Sequence, residues 1–216
     1  VRGKEFGKVL DPACGFGTFL VEGYIEFIAG ALKKGIIELP EAEDLTANLC
    51  GNDWNYFSGT IAQMQMLWNL LHAPGNHLDR PLPQLNISAG FDSLEPPTLF
   101  SELEEMDVTP WSELDNKRYA MVVGNPPYVR PERRVTVPTK AQEEFFSPIV
   151  AKSNLYGLFI YKALTQWLDD HGKLGLVIPL TFVDTEDSGR LRELFRVGGQ
   201  WKILEIVDME EIKRAV

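Results

Sequence analysis

Short apolar runs alternate with longer amphipathic stretches along this chain, and that alternation limits its fold more than any other feature. Lys8-Val9-Leu10 reads as a first strand. From Thr18 to about Lys34, Leu20, Tyr24, Phe27, Ile28 and Leu32 recur at helical spacing, and Gly35 and Pro40 stop the helix. Leu45 to Gly51 is a second strand, and Tyr56 to Leu71 a second helix expected to bury Ile61, Met64, Leu67, Trp68 and Leu71. His72 to Pro83 reads as loop and Leu85-Asn86-Ile87 as a third strand. Ser93 to Lys117, acidic and broken by Pro96, Pro97 and Pro110, reads as a surface excursion with one helical turn. Tyr119 to Val123 is apolar throughout, as central parallel strands are. Val129 to Ala151 reads as irregular. A helix over Leu155–Asp170, a strand over Leu174–Pro179, a helix over Asp187–Val197 and a sixth strand over Ile203–Val207 complete the series. Strands separated by helices predict an α/β domain: a parallel sheet covered on both faces, with no internal boundary.

The 216 residues make one sizeable domain, and 44% hydrophobic with 24% charged residues is ordinary for a globular protein. No apolar run approaches the roughly 20 residues needed to cross a bilayer, and no secretory leader precedes the first strand. The chain begins at Val1, not Met, and is expected to be a piece of a longer protein. Its net charge is −10, whereas a stand-alone DNA-binding domain is usually basic. The acidic runs Glu41–Asp44 and Glu102–Asp107 read as solvated faces, while Arg130, Arg133, Arg134 and Lys140 form a locally basic stretch. Cys14 and Cys50 form no Cys-x-x-Cys, and His72, His77 and His171 do not cluster with them. No structural zinc is expected. Both thiols read as small buried hydrophobes, which fits a reducing, cytoplasmic setting.

The first strand runs into Asp11-Pro12-Ala13-Cys14-Gly15-Phe16-Gly17-Thr18-Phe19-Leu20. Ligands of open α/β sheets bind beyond the carboxyl ends of the strands, where this turn lies. Gly15 and Gly17 let backbone turn sharply and approach a ligand, and the helix starting near Thr18 offers unpaired N–H groups. Leu20 stands where a dinucleotide fingerprint needs its third glycine, and no Gly-Lys-Ser/Thr of a P-loop is present.

The fourth strand ends in Gly124 and then Asn125-Pro126-Pro127-Tyr128. An aromatic exocyclic amine is a poor nucleophile, because its lone pair is delocalised into the ring. Two acceptors aimed at its N–H bonds favour a pyramidal, localised nitrogen. The Asn125 side-chain oxygen and the Pro126 carbonyl can supply them, and the two prolines fix φ near −65° so that little entropy is lost. Tyr128 offers a flat face for stacking.

Together, in this order, the two strings resemble the S-adenosylmethionine-dependent amino-methyltransferases, most closely the adenine-N6 DNA methyltransferases in their gamma arrangement. The similarity runs from about Lys8 to Val207 and includes Leu155-Tyr156-Gly157-Leu158-Phe159 and Gly172 to Pro179. The resemblance implies a doubly wound, Rossmann-like methyltransferase sheet, with residues 1–216 as a catalytic domain whose last strand and target-recognition domain lie outside this chain. It implies that Asp11, Ala13, Cys14, Gly15, Gly17 and Thr18 receive the methionyl end of S-adenosylmethionine. Asp53 would accept from the ribose hydroxyls, Trp54 pack on the cofactor adenine, and Asp92 accept from its amino group. Asn125, Pro126, Pro127 and Tyr128 would act on an adenine flipped out of DNA, with Arg130, Arg133 and Arg134 as candidate phosphate contacts and no metal. Type I modification subunits and type II restriction–modification proteins, some fused to a nuclease, share this motif order, so a recognition or restriction subunit is an expected partner. Phe16 replaces the usual serine of the first motif. Methylation of a protein glutamine or an RNA base, and a non-catalytic DNA-docking module, are the alternatives.

Overall fold

The computed structural model describes residues 7–33, 47–72, 84–95, 111–129, 139–149, 154–184, 188–196 and 199–209. Five parallel strands form one sheet: β1 (Val9–Asp11), β2 (Leu49–Asp53), β3 (Asn86–Ala89), β4 (Tyr119–Gly124) and β5 (Leu168–Leu176), in the order β3-β2-β1-β4-β5. The chain steps outward from β1 to β3, then returns to pair β4 against the other side of β1. Leu10 is opposite Cys50 in one neighbour and Val122 in the other. The strand order therefore reverses between β1 and β4, and it is beyond the carboxyl ends at such a reversal that open α/β sheets bind ligands.

Successive strand residues point to opposite faces, and the sheet separates two cores accordingly. Leu49 joins Cys14, Leu20, Tyr24, Ala62, Met66, Leu70 and Ile87 under α1 (Thr18–Lys33) and α2 (Tyr56–Leu71). Its neighbour Cys50 joins Leu10, Tyr119, Val122, Tyr156 and Trp167 on the other face. That face is covered by α3 (Trp111–Asp115), α4 (Lys140–Phe146) and α5 (Leu155–Lys162), the last running on as a π-helical turn over Ala163–Trp167.

Helix α2 buries a different face from the one its large residues suggest. Gly59, Ala62, Met66 and Leu70 are buried, whereas Met64 and Trp68 are exposed. The cause is close approach: a Cβ on Gly59 would stand 2.6 Å from the Ala89 Cβ. Helix and strand meet backbone to backbone, and only small residues fit.

Other expectations are corrected. The Ser93–Lys117 region is not wholly a surface excursion, because Trp111, Leu114 and Asp115 of α3 are buried. The Val129–Ala151 region contains α4, whose start is fixed by a reciprocal pair of bonds between Thr139 and Gln142. The helix expected to reach Asp170 ends at Trp167, since Leu168 is already extended. Between the pairs Tyr119↔Leu168 and Met121↔Lys173, β5 advances further than β4, and the polar residues Asp169 to Gly172 bulge from the ladder. The helix expected over Asp187–Val197 is a short α6 (Gly189–Arg192) followed by a 3-10 turn over Glu193–Phe195. Ile203 to Val207 form no strand; they pair with no described neighbour, and Leu204 is 74% exposed. The acidic runs and most of the loop over His72–Pro83 lie outside the described residues. Among those residues no helix is long and apolar enough to cross a membrane.

Candidate active site at the β1–β4 crevice

Asp11 closes β1 with a fully buried carboxylate. Its Oδ1 accepts from the Ala13 N–H at 3.1 Å, while its Oδ2 is buried with no hydrogen-bond partner. Burial pushes this carboxyl up to about 7; the Ala13 bond opposes the rise and the Asp53 charge adds to it. Gly15 and Gly17 both adopt left-handed backbone, at φ 54° and 85°. A Cβ on Gly17 would stand 2.9 Å from that of Ala62, so this glycine also lets the turn lie against α2. A Cβ on Gly15 would meet nothing within 4 Å, so the turn faces open space there.

The carboxyl end of β2 grips the same turn. Asp53 Oδ2 accepts from the Gly15 N–H at 2.9 Å, and its Oδ1 accepts from the Asn55 N–H at 2.9 Å. Asn55 in turn caps α2 by accepting from the Phe57 and Ser58 N–H groups. The Cys14 N–H donates to the Asn52 carbonyl at 2.9 Å. The Cys14 thiol is buried, and burial, then Asp11 and Asp53, raise its pKa well above the ordinary thiol range, so it stays protonated. Thr18 begins α1 and is exposed, as are Phe16 and Trp54.

Residues 125–128 follow directly on Gly124, the last residue of β4. Gly124 abuts Asp11 so closely that a Cβ there would lie 2.8 Å from Asp11 Oδ1. Pro126 is buried, while Asn125 and Pro127 are exposed. The Tyr128 hydroxyl lies 2.5 Å from Asn125 Oδ1 and 3.0 Å from the Val177 carbonyl oxygen. Its ring meets Tyr156 edge-on at 6.5 Å and is 47% exposed. The oxygen expected to receive a substrate amine is thus approached by the hydroxyl of its own turn.

Asp92 is half-buried in the loop after β3. Its Oδ1 accepts from the Leu94 N–H at 2.9 Å, an Asx-type turn, and its Oδ2 accepts from Gln142 Nε2 at 3.3 Å. Arg130, Arg133 and Arg134 lie outside the described residues. The carboxyl ends of the strands therefore bring Asp53 against Gly15 and Gly124 against Asp11, and Ser93, next to Asp92, against Pro12. Sequence reasoning missed Asn52, Ser93, Gln142 and Lys162. Lys162 had a signal: it is the one charge in the apolar run from Leu155 to Leu164.

The Eco57I restriction-modification methylase family matches residues 47–214. The chain belongs to that family. Among curated relatives, the type II restriction enzyme and methyltransferase RM.Eco57I of Escherichia coli is 25% identical over 213 residues, covering 86% of this chain and 21% of the relative. The type II methyltransferase M.BstVI of Geobacillus stearothermophilus is 25% identical over 207 residues, covering 94% of this chain and 34% of the relative. The chain thus spans 21% and 34% of the length of these two relatives. The fold is shared with a nuclease-deletion mutant of the type ISP restriction-modification enzyme LlaGI, solved with a DNA substrate mimic (TM-score 0.66, 18% identity, 88% of this chain and 17% of that one). It is also shared with the M protein of the type I restriction enzyme EcoKI (TM-score 0.55, 18% identity, 90% of this chain and 34% of that one). For this Eco57I-family chain, the match embraces β2 to β5 and residues 125–128.

Proposed function

We propose that residues 1–216 are the catalytic domain of a cytoplasmic DNA methyltransferase that moves a methyl group from S-adenosylmethionine to adenine N6. It would serve a restriction–modification or related defence system, with a recognition or restriction partner. The observation that carries this reading is the contact between Gly124 and Asp11 at the strand-order reversal. It sets the end of the glycine turn's own strand against the start of the Asn125 turn.

The residues present fit the cofactor. Asp11 Oδ2 is a buried acceptor without a donor, as a methionyl ammonium would require. The open space over Gly15 admits a ligand against bare backbone, alongside Ala13, Cys14, Gly17 and Thr18. Both Asp53 oxygens keep a lone pair for ribose hydroxyls. The exposed Trp54 offers an apolar face to the adenine, and Asp92 an acceptor to its amino group. When bound, S-adenosylmethionine supplies a sulfonium methyl that needs no further activation. The protein's task is then position and charge. Asn125 Oδ1 and the Pro126 carbonyl accept from the two N–H bonds of the flipped adenine and aim its lone pair at the methyl carbon. The same acceptors stabilise the positive charge that grows on N6 before a proton leaves to solvent. Tyr128 stacks on the base, worth about 1–3 kcal/mol against an unstacking cost of a few kcal/mol, so DNA-backbone contacts must add to it.

The test is transfer of tritiated methyl by the full-length protein to mixed DNA. Label in N6-methyladenine is expected. Label absent from DNA while the cofactor binds would refute the substrate, and label appearing instead on RNA or protein would support the alternatives.

A further inference from the structure

We propose that Lys162 is a positioning residue for the cofactor's adenosine end, holding the loop that carries Asp92 in register with the glycine turn. This rests on the S-adenosylmethionine reading above. Lys162 is completely buried, and its ammonium donates to the Ser93 carbonyl at 2.7 Å, the Glu95 carbonyl at 2.7 Å and Asp115 Oδ1 at 2.8 Å. Three donors meet three acceptors. Asp115 is buried as well: its Oδ1 also accepts from Trp167 Nε1 at 2.7 Å, and its Oδ2 from Gln166 Nε2 at 3.1 Å.

The network continues into the crevice. Ser93 Oγ donates to the Pro12 carbonyl at 2.5 Å and accepts from Asn52 Nδ2 at 2.6 Å. Asn52 Nδ2 also donates to the Phe91 carbonyl at 2.9 Å. Both neighbours of Asp92 are therefore fastened through their carbonyls, Phe91 to β2 and Ser93 to α5. Pro12, inside the glycine turn, is fastened to the same serine. One buried cation behind the sheet edge thus ties together α5, the end of β2, the loop after β3 and the turn after β1.

Stability alone does not call for such an arrangement. Removing a lysine and an aspartate from water is costly, and well-packed apolar side chains often do as well or better. Apolar packing lacks a directional hold on two chosen backbone carbonyls, and here those carbonyls begin one residue after Asp92. Outer partners of this kind fix the geometry of the groups that touch ligand.

The experiment compares the full-length wild type with the double variant Lys162→Met/Asp115→Asn. The double variant removes both charges and keeps an acceptor for Trp167. Calorimetry with S-adenosylhomocysteine and with its inosine counterpart, beside thermal melts, separates position from stability. The expected result is a folded protein with a lower melting temperature, because the Ser93 and Glu95 carbonyls lose their donor, with affinity for S-adenosylhomocysteine about tenfold weaker and, as the mark of lost position, discrimination against the inosine form reduced. Wild-type affinity and discrimination in the folded double variant would overturn the inference. Ser93→Ala provides a milder break: it removes both hydrogen bonds of Ser93 Oγ, to the Pro12 carbonyl and from Asn52 Nδ2, and is expected to weaken binding about fivefold. If the double variant does not fold, unchanged affinity in Ser93→Ala overturns the inference. A wild type that binds neither compound sinks the cofactor reading and this inference together; a binding wild type matched by its variants sinks this inference alone.

Discussion

A methyl group on Gly124 would stand 2.8 Å from the Asp11 Oδ1, so the last residue of one strand limits where the carboxylate of its neighbour can lie. Gly124→Ala must displace either Asp11 or the start of the Asn125 turn. Overpacking of this kind costs about 1–3 kcal/mol. Melting temperature should fall, and S-adenosylmethionine affinity measured by calorimetry should fall with it.

The two turn glycines should separate by what they fail. Gly17→Ala meets both an unfavourable φ of 85° and the Ala62 Cβ at 2.9 Å, so it should lose about 2–4 kcal/mol in denaturant unfolding. Gly15→Ala, at φ 54° with nothing within 4 Å, should lose only about 1–2 kcal/mol. Its methyl would enter the open space, so cofactor affinity should drop by more than its stability loss explains.

The Asp11 carboxyl titrates far from its unfolded value, rising from 3.8 to about 7. The folded protein therefore holds this proton more tightly than the unfolded chain does. The resulting stabilisation is fully present below about pH 4, declines as pH rises, and is gone above about pH 7; its full size is on the order of 4 kcal/mol. Asp11→Asn should remove this component from the pH dependence of unfolding. A bound ammonium would favour the ionised carboxylate, so cofactor binding near pH 6 should release a proton that calorimetry in buffers of different ionisation heat can count. The release should vanish at about pH 8.5 and in Asp11→Asn.

Asn125 and Tyr128 should part company under mutation. Asn125→Ala should abolish methyl transfer while S-adenosylmethionine still binds. Tyr128→Phe keeps the ring and removes the hydroxyl that lies 2.5 Å from Asn125 Oδ1, so DNA should bind at least as well as to the wild type. Tyr128→Ala removes the stacking face as well, and DNA affinity should fall by about 1–3 kcal/mol. Filter binding and single-turnover transfer read both effects.

Local pattern made the framework legible. The strand–turn–helix around Gly15 and Gly17 and the apolar fourth strand were plain because backbone period and turn chemistry act over a few residues. What failed were features set by distant partners. Met64 and Trp68 have the spacing of a core face, yet the backbone-to-backbone approach of Gly59 and Ala89 leaves them exposed. The Ile203–Val207 run has strand composition, yet a strand also needs a neighbour's ladder. Helix α4 had a local sign, Thr139 followed three residues later by Gln142, that its irregular surroundings obscured. The Lys162 network was hidden for another reason: its members come from five separate parts of the chain.

The central pairing of β1 with β4 brings together residue 9 and residue 121. β1, β2 and β3 pair in the order in which they follow one another along the chain, whereas β4 comes after all three and its pairing with β1 completes the strand-order reversal. Closing so long a loop carries an entropic cost that a β1–β4 pairing must meet before it rewards the chain, so that pairing is expected to form late. A ligand that binds only where the ends of β1 and β4 meet would then hold that pairing closed, shielding the chain from proteases once β4 has docked.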